Sequence, residues 1–130
     1  KNDVDAIWVS LQRLYDITRQ LAGPDGVMPP LGLATLPPFK PAVMRWFGGR
    51  EDTVTRLTDV TRRKVNQRIR REAARALDGA YLVDLAHMCE RTPEYMADDG
   101  IHLTPAAYRQ LGREAASAVC AAHARRGLKV

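Results

Sequence analysis

Apolar residues recur at three- and four-residue intervals over three stretches of the chain and crowd into two short runs, a pattern that predicts helix, strand, helix, strand, helix. From Val4 to Leu21 the row Ile7, Leu11, Leu14 or Tyr15, Thr18 and Leu21 predicts the first helix, capped by Asp3 or Asp5 and ended by GPDG at 23–26. Leu31 to Leu36 is a short apolar run between proline pairs. Proline cannot donate to a ladder and holds its predecessor extended, so one buried strand is predicted with Pro29, Pro30, Pro37 and Pro38 outside it. The second helix is predicted from Thr53 to Leu77 on the stripe Val54, Leu57, Thr61, Val65, Ile69, Ala73 and Leu77, stopped by Asp78-Gly79. AYLVDLA at 80–86 predicts the second strand, followed by an irregular stretch through Cys89 and Met96. The third helix starts at Thr104, which caps the free backbone donors while Pro105 takes the first helical position; its stripe is Tyr108, Leu111, Ala115 and Val119.

This order is that of an open parallel sheet covered on both faces. Two strands are too few to bury three amphipathic helices. The expectation is therefore that residues 1–130 are the later part of a larger domain, or that a partner polypeptide supplies the missing strands. Length agrees, since a chain of this size makes one domain and buries only about two-thirds of its extended surface. The segment FKPAVMRWFGGRED at 39–52 interrupts the order. Val43, Met44, Trp46 and Phe47 stand beside Gly48 and Gly49, a grouping that lines or covers a binding cleft, or else docks as a short helix on the core.

At 45% hydrophobic and 27% charged, the composition predicts folding rather than disorder. A net charge of +5 suggests anionic neighbours only where positive charges cluster, and they do in RRKVNQRIRREAAR at 62–75. Arg62, Arg63, Lys64, Arg68, Arg70, Arg71 and Arg75 are expected to wrap the solvent side of the second helix and leave the Val65, Ile69, Ala73 line clean. That reads as a solvated face and not as a nucleic-acid surface, which gathers its basic residues on one face beside docking elements. Cys89 and Cys120 lack the spacing of a zinc site or a disulfide framework and are expected as reduced thiols. No run of about 20 apolar residues is present, so no transmembrane segment is expected. The expectation is a soluble protein, cytoplasmic sooner than secreted; secretion stays open because Lys1 looks internal and a leader can have been left out.

The chemistry concentrates in DDGIHLTPAAYRQLG, from Asp98 to Gly112. Ligands of open parallel sheets bind beyond the carboxyl ends of the strands, where this stretch falls. An imidazole with its ordinary pKa of about 6.5 serves as general base near neutral pH, and a carboxylate on its other nitrogen fixes the tautomer. Gly100 permits the tight path that folds Asp99 back towards His102. Three readings stand side by side: a catalytic pair, a solvated surface turn, and a metal site with Asp98, Asp99 and His102 as ligands. His87, expected to close the second strand, and His123, near a helix end, read as structural.

DDGIHLTPAAYRQLG resembles the carboxyl-terminal block of the SGNH, or GDSL-type, hydrolases, in which an Asp-x-x-His segment close to DGIHLTPAGY supplies acid and base. The opening KND resembles the end of that family's Gly-x-Asn-Asp block, and LGLATLPPF, VNQRIRREA and AYLVDLA fall in the family order. The resemblance implies a three-layer α/β/α sandwich with a flavodoxin-like parallel sheet, of which this chain supplies the later strands and helices. It implies serine-dependent hydrolysis of carboxylic esters, of the esterase, lipase or acetylesterase type, with no metal or organic cofactor. His102 then matches the general base, Asp99 its carboxylate partner and Asn2 the side-chain donor of the oxyanion hole; Val43, Met44, Trp46 and Phe47 would border the ester substrate. The departure is large, because no GDS-like serine block occurs. Ser10 and Ser117, the two serines, fall inside helix patterns. The nucleophile is accordingly expected from a missing amino-terminal segment, and these residues alone should not turn over substrate. The alternative is a non-catalytic α/β module that binds a partner through 39–52 and the basic helix.

Overall fold

Seven elements follow one another in the computed structural model, which describes residues 3–21, 30–39, 51–75 and 80–127, with the backbone alone for 3 and 51–58. They are α1 (Asp3–Arg19), β1 (Leu31–Ala34), α2 (Glu51–Arg75), β2 (Ala80–Val83), α3 (Leu85–Arg91), a 3-10 turn (Pro93–Tyr95) and α4 (Pro105–Arg125). β1 and β2 pair in parallel, with Leu31 opposite Ala80 and Ala34 opposite Val83. Because side chains alternate along a strand, Leu31, Leu33, Ala80 and Leu82 share one face. That face meets α1 and α2 in a core of Val4, Leu33, Val65, Ile69 and Ala80, with Trp8, Leu11, Tyr15 and Ala73 packed around it. Leu33, Val65 and Ile69 are at most 1% exposed, and each contributes about 2 kcal/mol by leaving water. Gly32 is needed opposite Tyr81, since a Cβ there would come within 2.7 Å of the Tyr81 hydroxyl.

A second cluster of Met88, Cys89, Met96 and Ala107, extended by Leu85, Tyr95, Leu103 and Leu111, ties α3 and the 3-10 turn to α4. α4 in turn packs along β2. Thr104 caps α4 by accepting from the Ala107 N–H, with Pro105 next, as its sequence predicts. Burial pushes the Cys89 thiol up from its ordinary value, so that sulfur is a packing group and not a nucleophile. Both cysteines are free thiols, Cys89 buried and Cys120 exposed.

The molecule departs from the predicted pattern in four places. Of the row predicted for α1, Leu11 and Tyr15 pack on the core beside buried Val4 and half-buried Trp8, whereas Ile7, Leu14 and Leu21 are 37%, 59% and 64% exposed. Two apolar rows run along this helix, and periodicity alone does not choose between them. β1 ends at Ala34 because the Asn66 side chain takes the place of a strand partner for the next turn of backbone: its Oδ1 accepts from Leu36 N–H at 2.7 Å and its Nδ2 donates to Leu36 C=O at 2.8 Å. β2 stops at Val83, and the stretch expected to be irregular holds α3, whose seven residues are too few to display a period. His87 therefore lies exposed on α3 instead of closing a strand. On α4 Leu111 of the predicted stripe packs on the second cluster and Ala115 and Val119 are half-buried, but Tyr108 is 54% exposed and the fully buried residues are Ala107 and Ala122.

Candidate functional site

The segment after the 3-10 turn doubles back as a small hairpin. Met96 and Leu103 form an antiparallel bridge; Thr104 N–H donates to Tyr95 C=O and Ala97 N–H to His102 C=O, each at 2.9 Å. Gly100 makes the reversal at φ 75°, a left-handed conformation that any side chain would strain. Asp99 Oδ1 accepts from the Ile101 and His102 N–H groups at 2.9 Å each, and its Oδ2 lies 2.6 Å from His102 Nδ1. These bonds, led by the one from Ile101 N–H and followed by the His102 side chain, hold the Asp99 carboxyl at about 2, below its ordinary 3.8.

An ionised Asp99 is acceptor-only, so the Nδ1 facing it carries the proton and donates. The neutral imidazole then presents Nε2 as a bare acceptor. His102 is 71% exposed at its side chain, and no other side chain hydrogen-bonds it among the described residues. The arrangement fixes the imidazole through Nδ1 and leaves the side chain open to solvent, a geometry that a nucleophile-activating histidine would also need. Among the described residues no group of His, Cys, Asp and Glu side chains is placed to hold a metal, so Asp98 does not complete the metal set that the sequence left open.

The basic face of α2 is in the main the solvated wrap its composition suggests, with Arg62 the exception. Arg62 is 3% exposed and donates to Asp59, Glu90 and Leu36 C=O. Arg63 pairs with Asp59, Arg68 with Asp5 and Arg70 with Asp84. An arginine can enter a packed face when carboxylates and a carbonyl take up its donors, and here they come from β1's exit, α2 itself and α3. Arg63, Lys64, Arg71 and Arg75 are exposed, and Arg68 and Arg70 are half-buried. A cleft of about 450 Å³ runs along this face, lined by Arg62, Arg63, Lys64, Gln67, Arg70 and Glu90. Its cations are largely answered by carboxylates, which weakens it as a surface for an anionic polymer.

Asn2 and the apolar group Val43, Met44, Trp46 and Phe47 lie outside the described residues. Ser10 donates its hydroxyl to Ala6 C=O within α1, and Ser117 lies exposed within α4, so neither stands at a strand-to-helix turn. Two polar centres escaped the sequence reading: Asn66 on Leu36, and Asp84, which joins Thr35 and Arg70. Asp84 had a signal, a carboxylate directly after a strand and three residues ahead of the His87 N–H that it caps. No helix of the described residues is long and apolar enough to cross a membrane. Compared with protein-family models, curated proteins and solved structures, the chain finds no match.

Proposed function

We propose that this chain is the acid–base half of an SGNH-type hydrolase acting on carboxylic esters through a serine supplied by a preceding segment. The observation that carries the reading is the 2.6 Å contact between Asp99 and His102 Nδ1 on a side chain that is 71% exposed, which leaves Nε2 free to act. His102 takes the serine proton as the hydroxyl attacks the ester carbonyl, returns it to the leaving alcohol, and then activates water against the acyl-enzyme. Asp99 keeps the imidazole in the donating tautomer and stabilises its cation. Asn2, with backbone donors of the preceding segment, stabilises the oxyanion; the 43–47 group borders the acyl chain.

Two features support a larger three-layer domain. Among the described residues β1 pairs with β2 alone, and the flank of α1 carrying Ile7, Leu14 and Ile17 faces solvent, as does Leu21 just after it. A further strand beside β1, with its helix beside α1, would cover both. The test is labelling of the full-length protein by a fluorophosphonate probe together with hydrolysis of p-nitrophenyl esters of graded acyl length. The reading expects one labelled serine outside residues 1–130, labelling that collapses in His102→Ala, and a loss of about 10² to 10³ in rate for Asn2→Ala. Full labelling and turnover in His102→Ala would refute it.

A further inference from the structure

Just past the carboxyl ends of both strands, one carboxylate gathers donors from three elements. Asp84 Oδ2 accepts from Arg70 Nε at 2.8 Å; its Oδ1 accepts from Arg70 Nη2 at 2.9 Å, from Thr35 Oγ1 at 2.8 Å and from His87 N–H at 3.2 Å. Thr35, 2% exposed, passes the connection on, its Oγ1 accepting from Ala86 N–H at 2.8 Å. The exit of β1, the middle of α2 and the first turn of α3 thus meet at Asp84. Two backbone donors at the start of α3, those of Ala86 and His87, are satisfied by this cluster alone, so the direction in which α3 leaves the sheet depends on it.

That direction matters for the hairpin. α3 presents Leu85, Met88 and Cys89 to the cluster that contains Met96 and Leu103. Met96 and Leu103 are the bridge that closes the hairpin, and the next rung is His102 C=O accepting from Ala97 N–H. Four steps of contact therefore run from Asp84 to the His102 backbone: cap, helix, apolar cluster, ladder. Nothing in the Asp99–His102 pair itself sets where the pair sits relative to the strands. The pair's own bonds span only residues 99–102.

We propose that Asp84, clamped by Arg70 and Thr35, is a positioning residue that holds the Asp99–His102 hairpin in place by fixing the start of α3. The carboxylate is suited to this because an ionised group accepts at about four sites and carries no donor, and four bonds converge on it, three at Oδ1 and one at Oδ2. Asparagine has the same shape but would turn an N–H₂ towards the Arg70 fork, and valine in place of Thr35 would remove the hydroxyl that links Asp84 to Ala86. Salt-bridge geometry agrees: the fork is bidentate, with Arg70 and Asp84 side chains 39% and 27% exposed. That the placed histidine serves ester hydrolysis rests on the function proposed above; the mechanical coupling does not.

The experiment uses the full-length protein and two kinds of readout. In Asp84→Asn the melt stays cooperative, while His102 loses its hydrogen-bonded Nδ1–H resonance in proton NMR and the amides of Ile101 and His102 exchange about 10-fold faster or more. Thr35→Val gives the same signature in weaker form. Arg68→Gln, which breaks the α2 ion pair with Asp5 instead, leaves His102 unchanged. Unaltered His102 resonance and exchange in both variants overturn the proposal; where Asp84→Asn does not fold, Thr35→Val decides alone. Per titrated active serine, Asp84→Asn is expected to lower kcat about 10- to 100-fold with KM little changed, the signature of a misplaced base. If the hairpin loosens as described but wild type shows no ester turnover, the hydrolase reading falls and the positioning role stands.

Discussion

The hairpin at 96–104 and the basic stretch of α2 are both dense in charge, yet they differ in how far along the chain their bonds reach. Asp99 is bonded to Ile101 and His102, two and three residues away. On α2, Asn66 and Arg62 reach back 30 and 26 residues to Leu36, and Arg68 reaches 63 residues to Asp5. Local bonds place two side chains against each other wherever the segment lies. Distant ones place whole elements, and only in concert with them does the local pair acquire a position. The molecule therefore combines self-contained chemistry with a frame built from long-range polar contacts.

The sharpest way to break this comparison is to remove the chemistry and leave the frame. His102→Ala is expected to lower ester turnover of the full-length protein by about 10³-fold or more, since both proton transfers depend on the imidazole, with little change in melting temperature. The side chain is 71% exposed, so its loss opens no cavity. Turnover near wild type with intact serine labelling would return His102 to the role of a surface turn. The converse variant removes part of the frame. Asn66→Ala removes a side chain that is 1% exposed, leaves Leu36 N–H without its partner and leaves Leu36 C=O to Arg62 alone, and a loss of about 1 to 3 kcal/mol is expected by chemical denaturation. A loss below about 0.5 kcal/mol would mean that water replaces Asn66 there and that the exit of β1 is held by other contacts.

What could be read in the sequence divides along the same line. Gly100 between Asp99 and His102, and Thr104-Pro105 ahead of α4, announced their conformations because the determinants lie within a few residues of each other. The parallel strand pair was legible from two apolar runs separated by a helix. Arg62 and Asn66 were not, because a buried arginine differs from a solvated one only through carboxylates and carbonyls far away in the chain. α1 was assigned only in part for a related reason: Leu11 and Tyr15 pack inward as predicted while Ile7 and Leu14 do not, because its two apolar rows are equivalent until a strand and a second helix choose between them. α3 was hidden by brevity, although Asp84 stood where its cap belongs.

Between chemistry and frame lies the turn itself. Gly100 adopts φ 75°, where a Cβ costs about 1 kcal/mol. Gly100→Ala is therefore expected to destabilise the protein by about that amount and to reduce turnover by less than His102→Ala does. The reason is that the imidazole remains while its bond to Asp99 is strained. Turnover and stability unchanged in this variant would show that the reversal tolerates a side chain and that its glycine is incidental.

The smallest effect is also the most direct measure of how far the local pair depends on the frame. Asp99 is held at about 2, so its folded value lies below the ordinary 3.8. Its contribution to the hairpin is therefore complete above 3.8 and is lost as pH falls through about 2. Asp84 follows the same sign: burial raises its carboxyl, but the bonds from Arg70, Thr35 and His87 N–H outweigh burial and leave it below the ordinary value. Carboxyl-carbon NMR of the full-length protein is expected to show Asp99 titrating near 2 and the His102 Nδ1–H bond surviving at pH 4. An Asp99 that titrates at 3.8 or above would remove the hydrogen bonds on which its orienting role depends. In Asp84→Asn the Asp99 midpoint should move up towards 3.8, because a loosened α3 lets the Met96–Leu103 bridge open and the Ile101 and His102 N–H groups turn away from the carboxylate. A midpoint that stays at about 2 in that variant would mean that the hairpin is self-sufficient and would count against the positioning role of Asp84.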